Sequence, residues 1–365
     1  MGAMNDLLGP EAIEGLCRSL SGVAGRPAWP TLREAEAKLG PLSIRGRADL
    51  LAAALVADLA VDYGGASAVF RTALDDAAFT GWMIWPVTEA AVTLALQDGS
   101  IQAFDDALAL LSALTPRLTG EFAIRRLLLR DLNRALGIMQ HWTSHPDEQV
   151  RRLASEGTRP YLPWAIRVPG IIARPQSTFP ILEALHTDPS QLVRRSVANH
   201  LNDIARHAPD QVVATAARWK DAPDDGAAWV VRHGLRTLVK KAHPGALAVL
   251  GFAPRALSVP APRLETSVVH LPGELRFEAE VSNESAEAAR VAVDYLVHYV
   301  KANGALAPKV FKLAVADLAP GETRRFGKSH AFRPMTTRVH YPGRHALQLQ
   351  VNGVLSETAG FDVVP

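Results

Sequence analysis

Two stretches of this chain carry nearly the same word 43 residues apart. His145-Pro146-Asp147 leads into Val150-Arg151-Arg152, and Asp188-Pro189-Ser190 leads into Val193-Arg194-Arg195. A weaker third copy, Val231-Arg232-His233, follows 38 residues on. Self-similarity at about 40–47 residues is the period of HEAT-type helix pairs. A single pair cannot bury its apolar face alone, so pairs stack, and the chain that carries them becomes a solenoid.

The surrounding texture agrees. From Leu7 to about Leu250, apolar residues recur at three- and four-residue spacing, as in RADLLAAALVADLAVDY and EFAIRRLLLRDLNRALGIMQHW, with prolines and glycines falling between such segments. Beyond Leu250 the pattern changes. FAPRALSVPAPRLE is proline-rich, and after it polar and apolar residues alternate in ELRFEAEVSN, ARVAVDYLVHYV, KVFKLAVADL and HALQLQVNG. Pro272-Gly273, Asn303-Gly304, Pro320-Gly321, Pro342-Gly343 and Asn352-Gly353 supply turns between these runs. Six or seven short strands in such a length predict an immunoglobulin-like β-sandwich. The expected organisation is multidomain: an all-α HEAT-like solenoid over residues 1–256, a linker over 257–265, and an all-β sandwich over 266–365.

The repeat helices place chemistry on one face. In the second copy Val193, Val197, Leu201 and Ile204 form an apolar stripe, while Arg195, Asn199 and Asp203, four apart, form a polar one. In the first copy Arg152 and Glu156 occupy the same polar stripe, and the repeat sets Arg152 beside Arg195 and Glu156 beside Asn199. An ordinary reading exists for such pairs, since Arg152 and Glu156 have the spacing of a surface i,i+4 salt bridge. The loop that follows is less ordinary. Gly157-Thr158-Arg159-Pro160-Tyr161-Leu162-Pro163-Trp164 puts two prolines around a stiff turn that aims Arg159 at a phosphate and Trp164 at a base or sugar face, though Trp164 also suits a packed core. For Asp203 the ordinary reading is a cap or a salt bridge with Arg206 or His207.

These same words, RRLASEGTRPYLPW, VRRSVANHLNDIARHAPD, the upstream GEFAIRRLL with Glu121, and the tail KSHAFRPMTTRVHYPGRHALQLQVNG, resemble the AlkC branch of bacterial DNA alkylation-repair glycosylases over nearly the whole chain. The resemblance implies HEAT-like repeats that cradle double-stranded DNA, a C-terminal immunoglobulin-like domain, and excision of small cationic alkylated bases, 3-methyladenine and by extension 3-methylcytosine, without full flipping of the base. It implies catalytic roles for Asp203, with Glu156 and Glu121 as supporting carboxylates and Trp164 as a π face. It implies DNA-binding roles for Arg152, Arg159, Arg195, Asn199 and Asn202. Tyr161 departs from the pattern, which has a basic residue there, and a weakened phosphate contact is the expected consequence.

Composition bounds the rest. A net charge of +2 in 365 residues means that any polyanion binding depends on arrangement rather than on overall excess. Twelve scattered histidines and one cysteine, Cys17, show no metal-ligand spacing, and GxGxxG, GxxxxGK[ST] and GxSxG are absent, so neither metal, nucleotide cofactor nor acyl-transfer chemistry is expected. The opening residues do not read as a signal peptide, no apolar run has the length of a membrane span, and the lone cysteine suits a reducing cytosol. A monomeric cytoplasmic protein is expected. Arg324, Arg325, Lys328, His330, Arg333, Arg338, His340 and Arg344 suggest a second basic DNA contact between strands of the sandwich. The alternative to an enzyme is a HEAT scaffold that binds DNA or protein without chemistry, because the fold alone does not decide function.

Overall fold

The computed structural model describes residues 2–220, 225–333 and 339–365. Helices fill the chain up to Val249 and strands fill it from Leu257, as the change of texture predicts. The described residues divide into two compact units. One comprises Met1–Val212 and Asp221–Gly234, the other Val213–Lys220 and Leu235–Pro365. The unit boundary thus falls within the helical part of the chain, not at the proline-rich stretch.

In the helical unit, short polar caps set the starts of successive helices. Ser43, Asp62, Ser100, Asp131, Asp147 and Ser190 each accept a backbone N–H two or three residues ahead with the side chain. Asp147 therefore caps the first repeat helix, Glu148–Glu156. Ser190 caps the second, Gln191–Ile204: both helices begin two residues after their proline, and Ser190, like Asp147, is the residue directly after it, whereas Asp188 precedes Pro189. The first repeat helix packs on the second, and the second packs on Asp225–Gly234, the helix of the weak third copy. Val150, Leu153, Val193, Val197, Leu201, Ile204 and Val230 lose all solvent contact in that stack. At roughly 25 cal/mol per Å² of apolar area removed from water, such stripes dominate what holds neighbouring repeats together.

The two helices differ in length for a local reason. The first stops after nine residues and the second runs for 14. Pro160 disfavours helical backbone at Arg159 and offers no N–H, whereas Asp203, 43 residues after Pro160, continues its helix. Gly157 begins the departure. A Cβ there would stand 3.0 Å from both the Ile124 side chain and the Leu153 carbonyl, so a larger residue would have to displace its neighbours by a few tenths of an ångström.

In the other unit two sheets face each other. In the first, β4 (Gly273–Asn283) pairs with β7 (Thr323–Phe332) along one edge and with β1 (Leu257–Ser258) and β2 (Arg263–Leu264) along the other. The second has the order β3 (Val268–His270), β10 (Ala359–Val364), β8 (Gly343–Val351), β5 (Ala289–Val300), β6 (Leu306–Leu318), with β9 (Val354–Leu355) on β8. Among the described residues, ten strands replace the expected six or seven. The additional ones are two or three residues long, too short to show alternation in sequence, and two of them convert the expected linker into sheet edge. Leu275, Phe277, Ala279 and Val281 point from β4 into a core shared with Tyr295, Val297, Leu347, Leu349 and Phe361. Helices Arg236–Lys240 and Pro244–Val249 belong to this unit. Leu247 and Phe252 pack on Ala292, and Gln350 Nε2 donates to the Lys240 carbonyl at 3.3 Å.

Candidate active site

The paired arginines of each repeat divide the work. The first of each pair closes its own loop. Arg151 Nη1 donates to the carbonyls of His145 and Pro146, both at 2.9 Å, and Arg194 Nη1 does the same to Asp188 and Pro189 at 2.6 and 2.9 Å. Arg151 also holds the buried Asp188 through Nε and Nη2, at 2.7 and 3.1 Å. The word that revealed the repeat is in this half a structural device. The second arginine of each pair faces the polar stripe.

On that stripe the structure joins residues that are far apart in sequence into one alternating chain of charge. Arg152 Nη1 donates to Glu121 Oε2 at 2.8 Å, and its Nη2 lies 3.7 Å from Glu156 Oε1. Arg159 Nη1 donates to the same Glu156 oxygen at 2.7 Å, while its Nε donates to Asp203 Oδ2 at 3.0 Å. The order is Glu121, Arg152, Glu156, Arg159, Asp203. Burial opposes the charge on Arg159, but Glu156 and then Asp203 outweigh it, and the guanidinium is held above its ordinary range. Arg159 therefore does not reach outward for a phosphate. It is buried, and two of its donors are committed to carboxylates. Arg152 is likewise engaged at both ends of its fork. Arg195 alone of the three expected grips is exposed and has no carboxylate partner among the described residues.

Among the described residues, each of the three carboxylates is engaged through one oxygen only. Glu121 accepts through Oε2, from Arg152 and from Thr119 Oγ1 at 3.1 Å. Asp203 accepts through Oδ2, from Arg159 and from the Tyr161 N–H at 3.3 Å. No described residue donates to Asp203 Oδ1, although Asp203 is only 3% exposed. The buried Asp58 and Asp188 of this unit behave differently. Asp58 accepts the Thr31 and Leu32 N–H groups with separate oxygens, and Asp188 is satisfied at both. A half-engaged buried carboxylate is an oriented negative group with an open lone-pair site, which suits a cationic or proton-bearing ligand.

The loop 157–168 is held from beneath by Arg125, a residue that sequence reasoning did not single out. Its fully buried guanidinium donates to the carbonyls of Gly157 and Arg159, both at 2.9 Å, and of Ile166. Burial, reinforced by Arg167 and Arg159, lowers its pKa to about 10, so it stays charged at neutral pH. The signal for it was available, since GEFAIRRLL already pointed to Glu121, and a loop that leaves its carbonyls unpaired needs a donor. His200 is a second omission. It is buried and hydrogen-bonded to the Ser155 carbonyl through Nδ1 at 3.0 Å and to Thr178 Oγ1 through Nε2 at 3.2 Å. Burial, then Arg159, lowers its pKa to about 3, which makes it a neutral pin between the repeats.

At the tip of the loop, Trp164 is 56% exposed, has φ of 61°, and makes no ring contact or hydrogen bond among the described residues. It is not core. Left-handed backbone at a tryptophan is strained, and such strain is characteristic of positions that a site imposes. Asn202 is buried and Asn199 half-buried on the polar stripe, and both have hydrogen-bonding or electrostatic partners. Arg206 and His207 do not pair with Asp203. They turn instead to Tyr161, with the Arg206 guanidinium 4.3 Å from its ring centroid, Arg167 at 4.6 Å, the His207 ring stacked at 5.5 Å, and the tyrosine hydroxyl against His207 Nε2.

In the sandwich, Arg324, Arg325, Lys328, His330 and Arg344 of the basic cluster lie on strands, and Arg333 and His340 lie between β7 and β8. Arg324 and Arg325 are paired with Glu322 and Glu280, Arg344 with Asp362, and His330 is buried between the Tyr295 and Tyr299 hydroxyls. Arg338 lies outside the described residues. No group of metal-ligating side chains occurs, and no single helix has the length and apolarity of a membrane span, among the described residues.

Comparison with known proteins fits this geometry. The family described as DNA alkylation repair enzyme matches residues 114–238, which include every residue of the charge chain. The family described as the C-terminal Ig-like domain of the uncharacterised protein YhaZ matches residues 258–365. The chain is 34% identical over 262 residues to uncharacterized protein YhaZ of Bacillus subtilis (strain 168), covering 71% of this chain and 72% of that one. The solved structure of Pseudomonas fluorescens alkylpurine DNA glycosylase AlkC, bound to DNA containing an abasic site analog, superposes with a TM-score of 0.85 at 32% identity over 99% of both chains. The helical repeats and the sandwich thus belong to one known architecture, and this chain is a member of the AlkC-type family of DNA alkylation-repair glycosylases, in the subgroup with a C-terminal immunoglobulin-like domain.

Proposed function

We propose that the protein is a monofunctional glycosylase that hydrolyses the N-glycosidic bond of cationic alkylated bases, 3-methyladenine and 3-methylcytosine, in duplex DNA. The observation that carries this reading is Asp203, with one oxygen pinned by Arg159 and the Tyr161 N–H and the other open. An N3-alkylated base already carries positive charge and leaves without being protonated. Its departure places positive charge near C1′ of the sugar. A carboxylate fixed beforehand beside that carbon stabilises the charge without reorganising, and its open oxygen orients a water and takes its proton. Glu156 and Glu121, coupled to Asp203 through Arg159 and Arg152, keep the neighbourhood negative and hold those two guanidiniums off the substrate. Trp164 offers an exposed π face to the cationic base or sugar. Arg195 supplies a phosphate contact.

The groups that hydrogen-bond to the Asp203 carboxylate among the described residues are Arg159 and the Tyr161 backbone, neither of them an amine, which favours hydrolysis to an abasic site without strand cleavage. The expected setting is a monomer acting in the cytoplasm on double-stranded DNA. Methylated duplex DNA incubated with the protein is expected to release 3-methyladenine as free base, and Asp203→Ala to abolish most of that release. Undiminished release by the variant overturns the assignment of Asp203. Duplex binding with no release by the wild type would leave the non-catalytic scaffold as the correct reading.

A further inference from the structure

The cluster around Tyr161 is unexplained by the charge chain. Arg167 and Arg206 come from different segments, the loop after Trp164 and the turn after the second repeat helix, yet both guanidiniums lie over one aromatic ring, with the His207 imidazole stacked beside them. Arg167, Arg206 and His207 are all exposed, and no carboxylate pairs with any of them among the described residues. The only side-chain hydrogen bond from either arginine within that set is a long one, from Arg167 Nη1 to the Pro160 carbonyl at 3.4 Å. Like charges gathered without a counter-ion repel, and a cation–π contact at an exposed site is too weak to be the reason for gathering them. An anion completes the arrangement. The cluster adjoins the candidate catalytic carboxylate through the same residue, because the Tyr161 N–H donates to Asp203 Oδ2 and the Arg206 N–H donates to the Asp203 carbonyl at 3.3 Å.

We infer that Arg167 and Arg206, oriented by the Tyr161 ring, form the clamp for a backbone phosphate next to the lesion. This rests on the glycosylase reading and deepens it. Arg152 and Arg159 are occupied by carboxylates, so the residues that meet the phosphate nearest Asp203 have to come from elsewhere. Tyr161 is then a positioning residue. It brings no charge itself, but it fixes two planar cations with open forks at the distance from Asp203 that the chain sets, so the loss of a basic side chain at this position does not imply the loss of the phosphate contact.

The test uses the full-length protein and a short duplex carrying a tetrahydrofuran abasic analogue, with binding measured over a salt series, alongside 3-methyladenine release from methylated duplex. Arg167→Ala and Arg206→Ala are each expected to weaken binding about tenfold and to reduce the log–log salt slope by about 0.9, as loss of one phosphate contact requires. Tyr161→Ala should weaken binding and reduce the slope similarly, whereas Tyr161→Phe, which retains the ring, should restore both. A purely structural role for the ring would lower thermal stability without moving the slope. Wild-type slopes in both arginine variants overturn the clamp, whatever the release assay shows. Slopes that fall as stated while the wild type releases no base uphold the clamp and overturn the glycosylase reading instead.

Discussion

The two repeat copies read alike and behave differently. In both, the first arginine of the pair closes the loop that precedes its helix. From the second arginine onward they diverge. Arg152 is locked between Glu121 and Glu156, while Arg195 stands exposed. The first helix ends at Glu156 and the second runs on to deliver Asp203. The repeat supplies a rigid frame, and the positions at which its copies differ carry the charged groups on which the proposed chemistry rests. Arg159, on the loop that exists only because the first helix stops, bridges the copies by meeting Glu156 from one and Asp203 from the other.

The comparison is broken most severely at Asp203. Asp203→Asn keeps the shape and removes the charge, and single-turnover release of 3-methyladenine is expected to fall by about 10²–10³-fold. A loss under tenfold would mean that the longer second helix has no catalytic purpose. Next comes the bridge. Arg159→Ala leaves the buried Asp203 without its cation and Glu156 with only the 3.7 Å approach of Arg152, and urea denaturation is expected to show a loss of about 3 kcal/mol. A cost below 1 kcal/mol would show that the copies are joined by apolar packing alone.

The shared device is a smaller effect. Arg151→Ala and Arg194→Ala each remove charge-assisted bonds to two carbonyls and should cost about 2 kcal/mol, with Arg151→Ala the worse because Asp188 loses its partner. His200, the pin between copies, adds a pH signature. Its folded pKa of about 3 lies below the ordinary 6.5, so the unfolded chain binds the extra proton. Its contribution is fully present above pH 6.5 and is lost as pH falls from there toward 3. The stability difference between wild type and His200→Gln should therefore shrink by on the order of 1 kcal/mol per pH unit in that window. The smallest effect on stability belongs to Arg195→Ala, expected within about 0.5 kcal/mol of wild type while the DNA salt slope falls by about 0.9. That pairing separates a free arginine in the second copy from a locked one in the first.

Much of this molecule is legible in its sequence because its signals are local or periodic. Helical spacing, the 43-residue repeat and the alternation beyond Leu250 each depend on where a residue sits relative to near neighbours, and those relations survive into the fold. The buried stripe Val193, Val197, Leu201 and Ile204 followed from spacing alone. So did the presence of Arg152, Glu156, Asn199 and Asp203 on a shared polar face. Partners were not legible. Which oxygen Arg159 meets depends on the path of a proline-bound loop and on side chains 44 positions apart. Arg125 joins the site through carbonyls, which carry no sequence identity. The exposure of Trp164 and the two guanidiniums over Tyr161 depend on where the loop tip and the turn after Ile204 come to rest. Local spacing sets the frame, the face and the residue types. Which charges neutralise one another and which stay open is settled by the fold, because ion pairing acts over a few ångströms between segments whose separation no periodicity encodes.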